Sequence, residues 1–340
     1  MFWILLSVNS EVTDYYAMTV ALALGRSGYE TETVPADGIA ECVGSRAAKD
    51  DWFFSADVIE ACRLRLRGFD NVILWCQGII PEESYLRHKS KVRARILSLI
   101  EKHALKNARF CLFVSDSMRR HFELKYKIDF EDRCFVMPCF NSELVSESFF
   151  VEGKYDSPTF CYVGSLAAWQ CFEQTVDLYK SIESCVPNAQ LKVLTFEQDE
   201  ALEILKSKGV KRYEVGCVPP DKVSSELGSV AYGFVIREDN PVNRVATPTK
   251  LSSYMAAGVI PVFSRCLDGF ACLAGNLRFA VPVDEPVCAE DIVNRCLEPI
   301  GCDEVFAEYK RVFETYYSRD RYVEELSLLL DGVVGKARKV

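Results

Sequence analysis

Short, nearly continuous apolar runs alternate along this chain with longer segments whose apolar residues recur at helical spacing. Phe2 to Val8 reads as a strand, Asp14 to Ser27 as a helix stopped by Gly28, and Thr31 to Val34 as a short strand. Asn71 to Cys76 predicts a buried strand that ends at Gln77-Gly78. Pro81-Glu82-Glu83 opens a helical region reaching about Asn107, with Val92, Ile96, Leu99, Ile100 and Ala104 on one apolar stripe. Phe110 to Val114 predicts a strand, Ser115 caps the next helix, and Phe135 to Pro138 closes the first half.

The second half repeats this grammar after the polar stretch Glu152 to Pro158. Strands are expected at Phe160 to Val163, Leu191 to Phe196, Tyr213 to Val218 and Tyr232 to Ile236, with helices between them. The segment from Val242 to Val262 then reads as a polar loop, a capped short helix and a buried strand. Thr247 is the expected N-cap, Pro248 the first helical residue, and Gly258 the left-handed cap at the end. Strands alternating with helices imply parallel sheets covered on both faces. A chain of 340 residues exceeds what one core usually supports. The expectation is an α/β protein of two Rossmann-like domains, residues 1–150 and 151–315, with a terminal helical segment over 316–340.

Composition narrows the function classes. The chain is 49% hydrophobic and 26% charged, as in a globular protein. A net charge of −9 argues against a general nucleic-acid binder. Residues 87–127 run against that balance, with twelve Lys or Arg and three Asp or Glu. Fifteen cysteines show no Cys-x-x-Cys pair, and the only histidines are His88, His103 and His121, so no metal spacing is present. Cys76, Cys111, Cys161 and Cys217 sit in apolar runs and are expected to behave as small hydrophobes. These features favour a reducing, cytoplasmic compartment. Met1 to Val8 lacks a basic flank and is expected to be a strand and not an export signal. No run approaches the ~18 apolar residues needed to cross a bilayer.

Several segments resemble the family 4 glycosyltransferases. Thr247-Pro248-Thr249-Lys250 followed by Tyr254-Met255-Ala256-Ala257-Gly258 is similar to the family's "SPTK" and "EYLAAG" donor segment. Phe113 to Arg119 is similar to its "VSEAMK", Val136 to Asn141 to its "IPNGVD", and Tyr162 to Leu166 to its "YVGRL". The matches fall in the family's order across most of the chain. The resemblance implies a GT-B fold, in which two parallel sheets face each other across a cleft and the C-terminal helix crosses back onto the first domain. It implies transfer of a sugar, with retention of configuration, from a UDP- or GDP-linked donor to a glycan or lipid-linked acceptor in cell-surface polysaccharide or glycolipid synthesis. No metal and no cofactor is expected. The diphosphate leaving group must then be stabilised by cations and backbone amides.

Arg244 and Lys250, with the amides near Thr249 and Leu251, are the leading candidates for that role, and Gln77 joins them as a catalytic candidate. The Gly164-Ser165 turn can bring amides close to the same phosphates, although such a turn is often only a turn. Gly216, Cys217 and Val218 are expected near the base, and Glu238 and Asn243 near the sugar. The family places a spaced pair of glutamates where Val245 and Ser253 stand; Ser253 can still hydrogen bond a ribose hydroxyl. The family also tends to place a histidine at Gln77, and basic residues where Ser165 and Gln170 lie. Asn9, Ser10, Glu11 and Tyr15 are placed on the acceptor side. The basic run Arg87, His88, Lys89, Lys91, Arg93, Arg95 fits either peripheral contact with anionic lipid at the inner face of the membrane or a solvated helix face. A non-catalytic homologue acting as a binding or scaffolding subunit is the alternative.

Overall fold

The computed structural model describes residues 1–6, 11–144, 146–284, 289–296 and 298–337, the side chains of 11, 12, 336 and 337 excepted. The chain divides into two compact units. Unit 1 comprises residues 1–139 and 318–340, and unit 2 residues 140–317.

Unit 1 is built on six parallel strands: β1 (Phe2–Leu5), β2 (Thr31–Val34), β3 (Trp52–Ser55), β4 (Asn71–Cys76), β5 (Phe110–Phe113) and β6 (Cys134–Val136). Their order across the sheet is β2-β1-β3-β4-β5-β6. Helices on both faces explain why β1, β3 and β5 are buried at every position, and not at alternate ones. β3 lies beside β1 at the centre of the sheet, yet its sequence is only Trp-Phe-Phe-Ser within a polar stretch. It is absent from the pattern-based expectation for that reason. The helix Arg319–Ala337 packs against Glu11–Arg26 through Tyr322, Leu326, Leu330 and Val334, all buried along one stripe. Ser27 Oγ donates to the Ser327 carbonyl at 3.1 Å, and Arg319 lies 4.3 Å above the Tyr15 ring.

The helical region expected over 81–107 is two helices, Ile80–His88 and Lys91–Asn107. Lys89 breaks it in the left-handed conformation, and Ser90 Oγ caps the second helix by accepting from Arg93 N at 3.3 Å. Burial divides the apolar stripe of the second helix. Val92, Ile96 and Leu99 are 72%, 55% and 68% exposed, while Glu101, Ala104 and Leu105 face inward. Glu101 is satisfied there, its carboxylate accepting from Ile80 N at 3.1 Å, Tyr126 Oη at 2.5 Å and Lys125 Nζ at 3.1 Å. Those partners hold a charged residue in the core beside Ala104, while Val92, Ile96 and Leu99 remain outside.

Unit 2 has the same architecture: β7 (Thr159–Val163), β8 (Gln190–Leu194), β9 (Tyr213–Gly216), β10 (Tyr232–Val235), β11 (Ile260–Ser264) and β12 (Val281–Val283), all parallel. The order is β12-β11-β10-β7-β8-β9. Gly233 on β10 is required by close approach, since a Cβ there would lie 2.5 Å from the Tyr254 ring. The described cysteines are free thiols; Cys76, Cys111 and Cys161 are buried, but Cys217 is exposed, because it follows the last residue of an edge strand.

Candidate functional site

In a doubly wound sheet the ligand crevice opens at the carboxyl ends of the strands where their order reverses. In unit 2 that point lies between β7 and β10. β7 runs into Gly164, which adopts φ +128. Few other residues tolerate that conformation, and a Cβ there would come within 3.3 Å of Lys250 Nζ. Lys250 Nζ lies 4.3 Å from the centre of the Tyr162 ring and donates to Gln170 Oε1 at 2.9 Å.

β10 supplies the second cation, Arg237, which is 3% exposed. Its guanidinium donates to the carbonyls of Ile236 (2.8 Å) and Gln170 (2.9 Å) and also to Gln170 Oε1. Its own N–H donates to Ser264 Oγ at 2.9 Å. One neutral amide oxygen therefore bridges two cations. Among the described residues, no carboxylate forms a salt bridge with either. Lys250 retains some exposed surface, but its ammonium is densely surrounded. Burial, followed by the Arg237 charge, holds its pKa well below the ordinary lysine range. Burial lowers Arg237 as well. Enclosed cations without counter-charges are costly, typically several kcal/mol each. Such an arrangement can accept an anion.

The sequence candidates are distributed differently from expectation. Arg244 does not join the cluster. It belongs to the short helix Pro241–Val245, is about half exposed, and is already neutralised by Asp239, with Nη2 2.8 Å from Oδ2. The following helix begins at Lys250 with Thr249 as its cap, not at Pro248 with Thr247 as its cap. Leu251 N is consumed by the Pro248 carbonyl at 3.1 Å, and the Leu251 side chain is buried. The Thr249 carbonyl accepts from Ser253 N. Gly258 closes this helix at φ +69, as its sequence predicts.

Asn243 is buried and holds the loop together, donating from Nδ2 to the Glu238 carbonyl at 3.0 Å. The Glu238 carboxylate accepts from Gln174 Nε2 at 2.7 Å. Val245 is core. Ser253 Oγ bonds Asn141 Oδ1 at 2.9 Å and accepts from Ser142 Oγ at 3.3 Å, so three small polar residues occupy its surroundings. The Ser165 carbonyl accepts from Tyr162 Oη at 2.6 Å. Gly216 ends β9, with Cys217 exposed and Val218 half-buried just beyond it. In unit 1, Gln77 exchanges hydrogen bonds with Thr13 Oγ1 at 3.2 and 3.4 Å, and Tyr15 lies beneath Arg319. Asn9 and Ser10 fall outside the described residues, and of Glu11 only the backbone is described. Among the described residues, no group of three or more His, Cys, Asp or Glu is placed to hold a metal ion.

Arg237 was not among the sequence candidates. The signal that exposes it is an arginine immediately after the apolar run Tyr232 to Ile236, at a strand's carboxyl end.

No family model matches the sequence, and no curated protein matches it. Solved structures do share its fold. The sucrose-phosphate synthase of Thermosynechococcus elongatus matches with a TM-score of 0.69 at 13% identity, covering 99% of this chain and 100% of that one. Anabaena HepE, solved with UDP and glucose, matches at 0.67 and 10% identity, covering 97% and 99%. TarM of S. aureus matches at 0.61 and 9% identity over 83% of this chain, which spans only 55% of the TarM chain. Two six-stranded parallel sheets with surrounding helices, matched along nearly the whole chain, give this protein the two-domain GT-B fold.

Proposed function

We propose that this protein is a glycosyltransferase that moves a sugar from a nucleotide diphosphate to a glycan or lipid-linked acceptor. On this reading it retains anomeric configuration, needs no metal, belongs with the family 4 enzymes it resembles, and serves cell-surface polysaccharide or glycolipid assembly. The observation that carries the reading is the Lys250–Gln170–Arg237 cluster at the switch point of the second sheet. A diphosphate lying against Gly164 meets no Cβ between itself and Lys250. Lys250 and Arg237 then stabilise charge that grows on the leaving oxygen, which is where electrostatic catalysis acts most strongly. The departing phosphate takes the proton of the acceptor hydroxyl, so no protein nucleophile is required. The base is assigned to the Gly216 to Val218 edge, and the ribose to Ser253 with Asn141 and Ser142. HepE, solved with UDP and glucose, supports the donor class by fold likeness.

A thermal-shift panel of UDP, GDP and ADP with their sugars tests this. A transferase is stabilised by one base class and turns over the matching sugar nucleotide. The absence of a carboxylate at Val245 and Ser253 favours, as the second reading, a non-catalytic scaffold, which would show no nucleotide-dependent shift.

The acceptor is assigned to a membrane surface. Lys91, Arg95 and Lys102 flank the exposed Val92, Ile96 and Leu99, and among the described residues none of these cations pairs with a carboxylate. A basic helix with an apolar ridge seats itself at an anionic lipid interface. Among the described residues, no helix is long and apolar enough to cross a membrane.

A further inference from the structure

The first sheet has its own switch point, between β1 and β3. A cavity of about 440 Å³ opens beside it at the carboxyl ends of β3 and β4. Its polar lining is Thr13, Asp57, Gln77 and Glu83, over an apolar wall that includes Ile59 and Ile80. Glu83 is fixed by two features. Its Oε1 accepts from Ile79 N at 3.1 Å, and its carboxyl occupies the space that Gly78 leaves open, where a Cβ would fall 2.0 Å from Oε1. Asp57 Oδ1 is likewise spent on Ile59 N (2.6 Å) and Glu60 N (3.1 Å). The other oxygen of each carboxyl makes no hydrogen bond among the described residues. Among the described residues, no lysine or arginine lines the cavity.

We infer that this cavity receives the acceptor sugar and that it selects an uncharged, hydroxyl-rich ring over a phosphorylated one. The inference rests on the transferase reading above for the word acceptor, but the preference itself is a property of the cavity. Carboxylate oxygens without donors pair well with sugar hydroxyls, Gln77 offers both an acceptor and a donor, and the aliphatic wall suits a ring face. A phosphate dianion in the same place meets the carboxyls of Asp57 and Glu83, and no cation among the described lining residues offsets them. Like unit charges about 4 Å apart weaken binding by about fivefold per pair in water and by more at lower dielectric, so a dianion should bind about tenfold or more weakly.

The experiment uses the full chain and ligand-observed NMR, with and without UDP. Glucose, galactose and N-acetylglucosamine are compared with glucose 6-phosphate, glucose 1-phosphate and glycerol 3-phosphate. The expected result is millimolar binding of at least one neutral sugar, with its phosphorylated form at least about tenfold weaker. Glu83→Gln should weaken the neutral sugar and narrow the gap, leaving the thermal shift by UDP intact. Ile59→Trp should abolish sugar binding by filling the cavity without altering a charge, and it guards against a folding defect in the first variant. Tighter binding of the phosphorylated sugars overturns the inference, as does neutral-sugar binding that Ile59→Trp leaves unchanged, or no neutral-sugar binding at all. Loss of the UDP shift in the unaltered protein would instead defeat the donor reading, because the sugar preference is measured without nucleotide too.

Discussion

Replacing Lys250 by methionine separates what the cation does for folding from what it does for a ligand. Methionine keeps the unbranched shape beside Tyr162 but removes the charge and the bond to Gln170 Oε1. In the free protein that charge has no carboxylate partner among the described residues and lies beside Arg237. Replacing buried ion pairs by apolar groups of similar volume is often neutral or stabilising by about 1–4 kcal/mol, and Lys250 gives up no salt bridge among the described residues when it is replaced. For a unit of this size each kcal/mol raises Tm by about 2–4 °C. Lys250→Met should therefore melt higher than the unaltered protein when no nucleotide is present. With UDP that advantage shrinks. A hydrogen bond to a charged group contributes about 1.5–3 kcal/mol, so affinity should fall by about 10- to 150-fold and the UDP-dependent rise in Tm should shrink accordingly. Differential scanning calorimetry across a UDP titration reads both effects in one series. A variant that melts lower without ligand, yet gains as much from UDP as the unaltered protein, would refute the argument that this cation is held in reserve for an anion.

Other consequences are open to test. Diphosphate binding should raise the pKa of Lys250 from its depressed value, so protons are taken up on binding and affinity falls as pH rises through that value toward the ordinary 10.5. Calorimetric titration in buffers of different ionisation heat checks this, and Lys250→Met should remove the linkage. Gly164→Ala should lose about 1–3 kcal/mol to its φ of +128 and displace Lys250 Nζ; chemical denaturation and UDP binding measure the two effects. Changing Val92, Ile96 and Leu99 together to serine should alter stability by less than ~0.5 kcal/mol per site, because all three are exposed, while sharply reducing co-sedimentation with phosphatidylserine vesicles. Equal sedimentation of the two proteins would count against the lipid assignment.

The alternating grammar of the chain was legible because both sheets are parallel and covered on both faces, which makes β4, β5 and β7 stand out as apolar runs. β3 was not, since Trp52 to Ser55 is too short to announce itself and gains its place from its neighbours β1 and β4. Periodicity identified the apolar stripe of the Lys91–Asn107 helix but not which of its members are covered: Ala104 is buried, Val92, Ile96 and Leu99 are exposed, and Glu101 is inside with its hydrogen bonds made. At the site, Lys250 and Gly164 were legible from their motifs. Arg244 looked equivalent, but the cap at Asn240 and the charge of Asp239 draw it away, and Arg237 stands in the crevice instead. Spacing along the chain could not distinguish two arginines that close together.

The return of residues 318–340 to unit 1 has a consequence during synthesis. The ribosome delivers residue 139 and must then translate all of unit 2 before Tyr322, Leu326, Leu330 and Val334 emerge to cover their helix. At about 5–20 residues per second that interval is about 10–40 s, far longer than a domain needs to collapse. The nascent first sheet spends it with one oily flank bare, a natural client for a holding chaperone, and a premature stop before residue 318 would leave that flank permanently uncovered.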